Sequence, residues 1–586
     1  MQDQEDKSVK TNELAEENTN KSSVDNSQSV KQQESTPKPV QETKKVAQKS
    51  KKGPKSKPSK LLNKNKMCET TQKHADFAGW YQKTLMEAEM IEYYDISGCY
   101  ILRPSAYSIW EKLQDHLNSE FRKRGVKNAY FPLMVTEKAL STESSHIEGF
   151  KEEVAWLASA DDEDSASEEK HESSSESSES DENEISSDSD NDVNVESEEE
   201  KHKELRKEKD RIAIRPTSET IMYPAFAKWI RSHRDLPLTL NQWSNIVRWE
   251  FRDATPFIRS REFLWQEGHT AHATAQEAED QALEILDLYE NTYSDILALP
   301  VIKGTKSQDE KFAGAKNTYT CEMIIDANGK GLQGATSHDL GQNFSKMFDI
   351  KFEDNQQNVA HVHQTSWGLT TRSIGAMIMI HGDDKGVVLP PSIAEYQVVI
   401  TPILKSDYDQ NKLNDYIKKI TQDLEKKGIR YHIDNREKYS VKRKFDDWEA
   451  KGVPIRLEIG PNEVENQTAI VAVRFNGEKG DIPIDNLKTF LPRQLKWIQQ
   501  AMLKNATKRM EKNTRQVTTW NSFLSNIKKN NTVQVPWCGN EECSDNIKES
   551  SAANIKKADL RRLKKEVSPE EFKNLQTKPY AGAKVL

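Results

Sequence analysis

Three arginines, Arg248, Arg259 and Arg372, stand among carboxylates and aromatic rings at spacings that could handle a charged, partly flat ligand. In V-R-W-E-F-R, Val247, Trp249 and Phe251 alternate with Arg248, Glu250 and Arg252. That period of two predicts a strand with one apolar and one polar face. Residues 253–258, with a proline, predict a hairpin loop. A second arm over 263–268 places Phe263, Trp265 and Glu267 on one face. Such a face is costly to bury unless something charged binds to it. ATP with a small amino acid fits, because arginine forks suit phosphate oxygens and aromatic faces suit rings.

The elements that must hold these residues can be read outward from the hairpin. In I-A-I-R-P-T-S-E-T, Thr217 and Glu219 share a face if extended. Ser218 and Glu219 could instead start and cap a helix running through Tyr223, Phe226 and Ile230. Residues 105–124 predict a helix with Trp110, Leu113, Leu117 and Phe121 on one face and Gly125 closing it. A short strand, A-Y-F-P-L-M-V, follows to Val135. Residues 276–299 read as a packing helix, and 319–326 as a strand. In 331–344 the glycines allow close backbone approach to a ligand. Residues 366–386 read as a strand end followed by a helix that begins near Arg372. A cation there opposes the helix dipole, so an anionic ligand would offset the cost. His338, His361 and His363 fit no zinc-ligand spacing. Beyond residue 390, strands over 396–403, 428–432, 455–459 and 468–474 and a helix over 407–427 predict an α/β unit with a largely parallel sheet.

Composition separates two kinds of chain. Residues 159–204 hold 20 acids against three lysines, a net of −17, which leaves +8 for the remainder of a chain whose total is −9. The acid is confined to one Ser/Asp/Glu-rich insert, and the rest is basic enough to attract a polyanion. Residues 1–66 form a Lys-, Gln- and Ser-rich tail without hydrophobic period, expected to be disordered. Five scattered cysteines, Cys68, Cys99, Cys321, Cys538 and Cys543, argue against a disulfide framework. No apolar run is long enough to span a membrane. No signal-peptide core is visible, and early acids weigh against a transit peptide, so a cytoplasmic location is expected.

F-R-D-A-T-P-F-I-R-S-R-E-F-L-W-Q-E-G-H resembles motif 2 of class II aminoacyl-tRNA synthetases, most closely the prolyl-tRNA synthetases of eukaryotes and archaea. The 105–124 helix with the strand holding Pro132 resembles motif 1, and S-W-G-L-T-T-R-S-I-G resembles motif 3. G-V-P-I-R-L-E-I-G-P, 452–461, resembles the anticodon-binding domain of class IIa enzymes. The resemblance implies an α/β fold overall: an α+β catalytic domain with an antiparallel sheet flanked by helices, then an α/β anticodon-binding domain and a small C-terminal domain. The expected organisation is a tail over 1–66, a catalytic domain over 67–392 containing the insert, an anticodon-binding domain over 393–500, and an apparently truncated C-terminal domain over 501–586.

The implied activity is ATP-dependent proline activation and transfer to the 3′ end of tRNA(Pro), in a homodimer. The resemblance gives Arg248, Arg259 and Arg372 the catalytic charge stabilisation. It gives proline Thr217, Glu219, Arg248, Trp265, Glu267, Phe312 and His338. It gives ATP Arg248, Glu250, Arg259, Ser260, Gln333, Thr336, Thr370 and Arg372, with Gln333 helping to hold Mg²⁺. Cys538 and Cys543 resemble half of a Zn²⁺ site, but the sequence has no second cysteine pair to close a tetrahedron. Two reduced, unliganded thiols are therefore the preferred expectation. Two other readings stand beside this one: a synthetase-derived RNA-binding module that no longer catalyses, and a class II enzyme for threonine or histidine.

Overall fold

The computed structural model describes residues 72–144, 154–157, 211–249, 253–404, 407–529 and 531–556. The Lys-rich tail, the acidic insert and Glu250 lie outside the described residues.

The site rests on a seven-stranded sheet. Its strands in chain order are β1 (Lys127–Asn128), β2 (Leu238–Val247), β3 (Glu262–His272), β4 (Ile302–Thr305), β5 (Asn317–Ile325), β6 (Lys330–Gly341) and β7 (His363–Thr370). Their spatial order is β1-β2-β3-β7-β6-β5-β4, antiparallel throughout except for the short β1–β2 pair. Alternation on β5 shows how the sheet divides. Tyr319, Cys321 and Met323 enter the main core, while Thr318, Thr320 and Glu322 point to the opposite face.

Helices cover the apolar side. Helix α1 (Pro104–Lys123) starts with proline at its first turn, where the missing N–H costs nothing. It buries Ile109, Trp110, Leu113, Leu117 and Phe121, each worth about 1.5–3 kcal/mol. Gly125, at φ +73°, ends it in a left-handed conformation suited to glycine. On the polar side, α2 (Glu219–Trp229) carries the Thr-Ser-Glu segment into the site. Helix α3 (Ala275–Asn291) begins with a capping box in which Thr274 and Glu277 satisfy each other's backbone N–H groups. Helix α4 (Arg372–His381) follows β7 directly and is buried from Ser373 to Ile380.

A second, five-stranded sheet has its own core. It contains β8 (Val398–Pro402), β9 (Tyr431–Ile433), β10 (Ile455–Ile459), β11 (Thr468–Val473) and β12 (Lys479–Pro483), ordered β9-β8-β10-β11-β12. Helices α5 (Gln410–Lys426) and α6 (Val441–Ala450) lie within its crossovers. The thirty-residue helix α7 (Ile484–Asn513) leaves this sheet and reaches the core of the first. A small cluster around Val517, Phe523 and Leu524 follows it.

Four local expectations are corrected. The first arm of the hairpin ends at Val247, not Phe251, so Arg248 lies just beyond the strand. The A-Y-F-P-L-M-V segment forms strand only at its flanks, Lys127–Asn128 and Met134–Thr136; Pro132, which has no N–H, lies in the irregular stretch between. Of the two readings for Thr217–Glu219, the extended one is corrected and the helical one holds: Glu219 opens α2 with Ser218 at its N-cap, although the Ser218 side chain makes no capping hydrogen bond. The second sheet is mixed, because β10–β11 and β11–β12 are antiparallel.

Candidate active site

Strand register lays three rows of side chains across the polar face of the first sheet. Gln242, Glu267, Gly368, Thr336 and Thr320 face one another in turn on β2, β3, β7, β6 and β5. Ser244, Trp265 and Thr370 form the row on one side of it. His269, Ser366, His338 and Thr318 form the row on the other. A cleft of about 310 Å³ opens over these rows. Gly368 keeps its centre low: a Cβ there would stand 3.0 Å from the Gln266 carbonyl oxygen.

Glu267 anchors the floor and is 2% exposed. Its Oε1 accepts hydrogen bonds from Ser218 Oγ at 2.6 Å and Gln242 Nε2 at 2.7 Å. Its Oε2 lies 3.2 Å from His269 Nε2, whose other ring nitrogen meets the Tyr223 hydroxyl at 3.0 Å. Burial opposes charge on His269, but the Glu267 hydrogen bond and the charges of Glu219 and Glu267 outweigh it and raise its pKa. Thr217 Oγ1 donates to the Glu219 carboxylate, and both residues are buried. This segment is held from below by Arg215, whose guanidinium donates to the carbonyls of Phe131 at 2.7 Å, Pro132 at 3.0 Å and Asn245 at 3.1 Å.

Phe312 and His338 form an aromatic wall, with ring centroids 4.8 Å apart. Thr318 holds both: its Oγ1 accepts from the Phe312 N–H at 2.9 Å and lies 2.9 Å from His338 Nδ1. Burial pushes His338 down to about 3, helped by the nearby His269 and Lys306 charges, so the ring is neutral.

The cationic side is built differently. Arg248 keeps one ladder bond past the strand end, from its N–H to the Arg261 carbonyl at 2.8 Å. Its Nε donates to the Pro216 carbonyl at 3.2 Å, and its guanidinium carbon lies 5.8 Å from the ring centroids of both Phe263 and Trp265. Trp265 is steadied by its own Nε1, which donates to Ser244 Oγ at 3.2 Å. Arg372 opens α4, its N–H donating to Thr370 Oγ1 at 3.1 Å and its Nε to the Ile258 carbonyl at 3.1 Å. The helix therefore ties to the hairpin turn through the same arginine that faces the cleft.

Eleven of the residues expected from sequence line this cleft: Thr217, Glu219, Arg248, Trp265, Glu267, Phe312, Gln333, Thr336, His338, Thr370 and Arg372. Arg259 and Ser260 do not line it; they lie at the hairpin turn, Arg259 exposed and its backbone paired with Thr255. Sequence reasoning missed Lys306, Glu310, Thr318, Ser366 and His269 in the lining, and Ser218 and Gln242 behind it. The period-two alternation on β5 carried a signal for Thr318; nothing local marked the others. Cys538 is exposed and Cys543 half-buried, with the thiols in contact; burial and its neighbour raise the Cys543 pKa. Among the described residues, no group of three or more His, Cys, Asp or Glu side chains is placed to hold a metal, His338 with His361 and His363 included.

The arrangement offers a cationic side for a polyanion and a carboxylate-and-ring pocket for a small cation with an apolar body. Comparison with known proteins agrees with that division. Residues 199–381 match the tRNA synthetase class II core domain (G, H, P, S and T), 397–494 the anticodon binding domain, and 520–579 the prolyl-tRNA synthetase C-terminal domain. A cytoplasmic proline–tRNA ligase of Arabidopsis thaliana is 45% identical over 479 residues, covering 82% of each chain. A proline–tRNA ligase of Encephalitozoon cuniculi is 39% identical, covering 85% of this chain and 92% of its own. The chain spans 68% and 63% of the length of two yeast relatives. The crystal structure of Cryptosporidium parvum prolyl-tRNA synthetase with halofuginone and AMPPNP is 45% identical, with a TM-score of 0.72, covering 82% of this chain and 88% of that one. With these matches, and with motifs 2 and 3 on one antiparallel sheet against which the motif 1 helix packs, the chain belongs to the prolyl-tRNA synthetase family of class II aminoacyl-tRNA synthetases.

Proposed function

We propose that the cleft activates L-proline with ATP and that the chain then transfers the prolyl group to tRNA(Pro). One observation carries this reading: Arg248 and Arg372 line the same cleft as a pocket formed by Glu219, Glu267, Phe312 and His338. The secondary ammonium of proline goes to Glu219, Thr217 and Glu267, and Trp265, Phe312 and His338 wall its apolar ring. A neutral His338 suits that role, since a charged ring would repel the ammonium.

Arg248 holds the α-phosphate and the proline carboxylate together, and Arg372 with Thr370 takes the γ-phosphate. Gln333 and Thr336 contact ATP from β6, Arg259 and Ser260 reach it from the hairpin turn, and Glu250 takes the adenine. The proline carboxylate is already ionised at neutral pH, so no general base is required. Its oxygen attacks the α-phosphorus, the bond to the bridging oxygen breaks, and pyrophosphate leaves. The arginines bring the two anions together and neutralise charge as it shifts to the leaving group. Gln333 lies across the sheet from Glu322, whose Oε1 is held by Lys306 Nζ at 3.0 Å and Thr320 Oγ1 at 2.8 Å, so a Mg²⁺ held by Gln333 would take its remaining ligands from phosphate and water. When bound, the ion would supply further neutralisation of phosphate charge.

The remainder of the reading follows the family. Residues 67–392 form the catalytic domain, 393–500 the anticodon-binding domain and 501–586 the C-terminal domain. The protein works as a homodimer through the α1 region, in the cytoplasm. No described helix is long and apolar enough to cross a membrane. The test is amino-acid-dependent exchange of labelled pyrophosphate into ATP across all twenty amino acids. Exchange with proline alone is expected. Exchange with another amino acid would overturn the specificity, and no exchange in folded, tRNA-binding protein would favour a non-catalytic RNA-binding module.

A further inference from the structure

Helix α4 presents Arg372 at its first residue and ends at His381. Its last carbonyl groups have no partner within the helix. Two cations from distant parts of the chain take them. Lys73, 6% exposed, donates from Nζ to the Gly382 carbonyl at 2.7 Å and the Ile380 carbonyl at 3.4 Å. Arg509 donates from Nη2 to the Ile380 carbonyl at 2.8 Å and from Nε to Asp326 Oδ2 at 2.9 Å. Asn513, one turn further, donates to the Asp326 carbonyl at 3.2 Å. Cations at this end complement the helix dipole, whereas Arg372 at the other end opposes it.

Arg509 sits on α7. The first part of that helix buries Leu487, Leu491, Leu495, Ile498 and Met502 in the core of the second sheet, and Ala506 reaches the core of the first. Thirty residues span about 45 Å, so one rod joins the two sheets. Gln499, midway, donates to the carbonyls of Asp295 at 2.9 Å and Ile296 at 3.2 Å. The α4 residues between its two ends, Ser373 to Ile380, are all buried, so the helix can shift only as a body.

We propose that Arg509 is a positioning residue for the active site: by fixing the C-terminal end of α4 to α7, it sets the axial place of Arg372 in the cleft. The inference rests on the reading of Arg372 as a phosphate-binding residue. Arg509 keeps 39% of its side chain exposed, so its bonds contribute little to global stability. Its effect should therefore fall on catalysis and not on folding.

The test uses the full chain with Arg509→Met and Arg509→Lys, assayed by proline-dependent pyrophosphate exchange with ATP and proline varied separately. Displacements near 1 Å at a reacting group can cost on the order of a hundredfold, so Arg509→Met should lower kcat by at least about tenfold. ATP KM should rise, and proline KM and the melting temperature should stay as in the parent. Arg509→Lys, which keeps a donor for Ile380, should recover part of the loss. Arg372→Ala, run alongside, separates two failures. If Arg372→Ala is inactive while Arg509→Met matches the parent, the positioning role is wrong and the phosphate reading stands. If Arg372→Ala exchanges normally, the phosphate reading itself fails, and the positioning role with it.

Discussion

Replacing Glu267 by glutamine removes one buried charge while keeping the shape and most of the hydrogen bonds of the pocket floor. A carboxylate accepts about four hydrogen bonds. Ser218, Gln242 and His269 occupy three of those places, at 2.6, 2.7 and 3.2 Å. The fourth is met only by a long contact from Ser244 Oγ at 3.5 Å, which the substrate ammonium can displace. In the variant the amide oxygen can still accept from Ser218 and Gln242, and the amide nitrogen can donate to a neutral His269. Stability should therefore change by less than about 1.5 kcal/mol. The substrate loses a charge-assisted contact worth about 1.5–3 kcal/mol, which is about a ten- to hundredfold rise in proline KM with ATP KM unchanged. His269 should also lose its upward shift, since the Glu267 hydrogen bond and charge support it. Glu267→Ala provides the contrast: it strands the partners of Glu267 in a buried site at about 1–3 kcal/mol each, and should lower the melting temperature sharply. Pyrophosphate exchange at saturating ATP, thermal denaturation and a histidine NMR titration read these effects. A Glu267→Gln enzyme with a proline KM within twofold of the parent would refute the assignment of Glu267 to the ammonium.

Other outcomes follow from the same geometry. Arg248→Ala should abolish adenylate formation with circular dichroism unchanged, because its described contacts are partly exposed; wild-type-like exchange would sink its phosphate role. Gly268→Ala would place a Cβ 2.1 Å from the ring of Trp367, which is 2% exposed and cannot swing away. A loss of about 1–3 kcal/mol or more is expected in urea denaturation, and an unchanged midpoint would contradict the packing. Acid should destabilise the fold from about pH 6.5 downward, because burial lowers His272 to about 4 and His338 and His381 to about 3, so the unfolded chain takes up protons that the native sites refuse. His272 alone contributes about 3 kcal/mol that is present above pH 6.5 and lost by pH 4. His269 runs the opposite way: its contribution is complete below the ordinary histidine pKa and fades as pH rises through its raised value. A His272→Phe variant that keeps the full acid dependence would count against this account.

The parts of the fold that sequence revealed are those with a one-sided apolar pattern. Helix α1 announced itself through Trp110, Leu113, Leu117 and Phe121, and α4 through the strand-to-helix change before Arg372. Strand β2 was hidden because its cleft face carries Gln242 and Ser244, so the period-two signal weakened just where the site begins. Strand β6 reads K-G-L-Q-G-A-T-S-H-D-L-G, with glycine and polar residues where a half-buried strand would show alternating apolar ones. The first-hand contacts of the ligand could be carried over from motif resemblance. The support beneath them could not: Ser218 and Gln242 reach Glu267 across 49 and 25 residues of chain, and no local pattern records such a meeting. Arg215 illustrates the same limit, since its three carbonyl acceptors come from two other segments.

The strand Met134–Thr136 belongs to a small three-stranded sheet with Ile212–Ile214 at its centre and Ala155–Trp156 on the other side, and this sheet bears on how such a chain can change over generations. Ala155–Trp156 pairs with Ile212–Ile214, and the Leu157 N–H donates to the Ile212 carbonyl at 2.9 Å. The two points at which the described chain stops and resumes, Leu157 and Arg211, therefore stand side by side, like the edges of a buttonhole. For a flexible connection between two fixed points, the entropy of closure grows only with the logarithm of length, about 0.6 kcal/mol for each doubling. Residues can accumulate there, or be deleted, while the catalytic sheet feels little more than the fixed span at its base. A mutational record of frequent length change at this position, beside near-constant spacing between Arg248 and Arg372, is what that geometry permits.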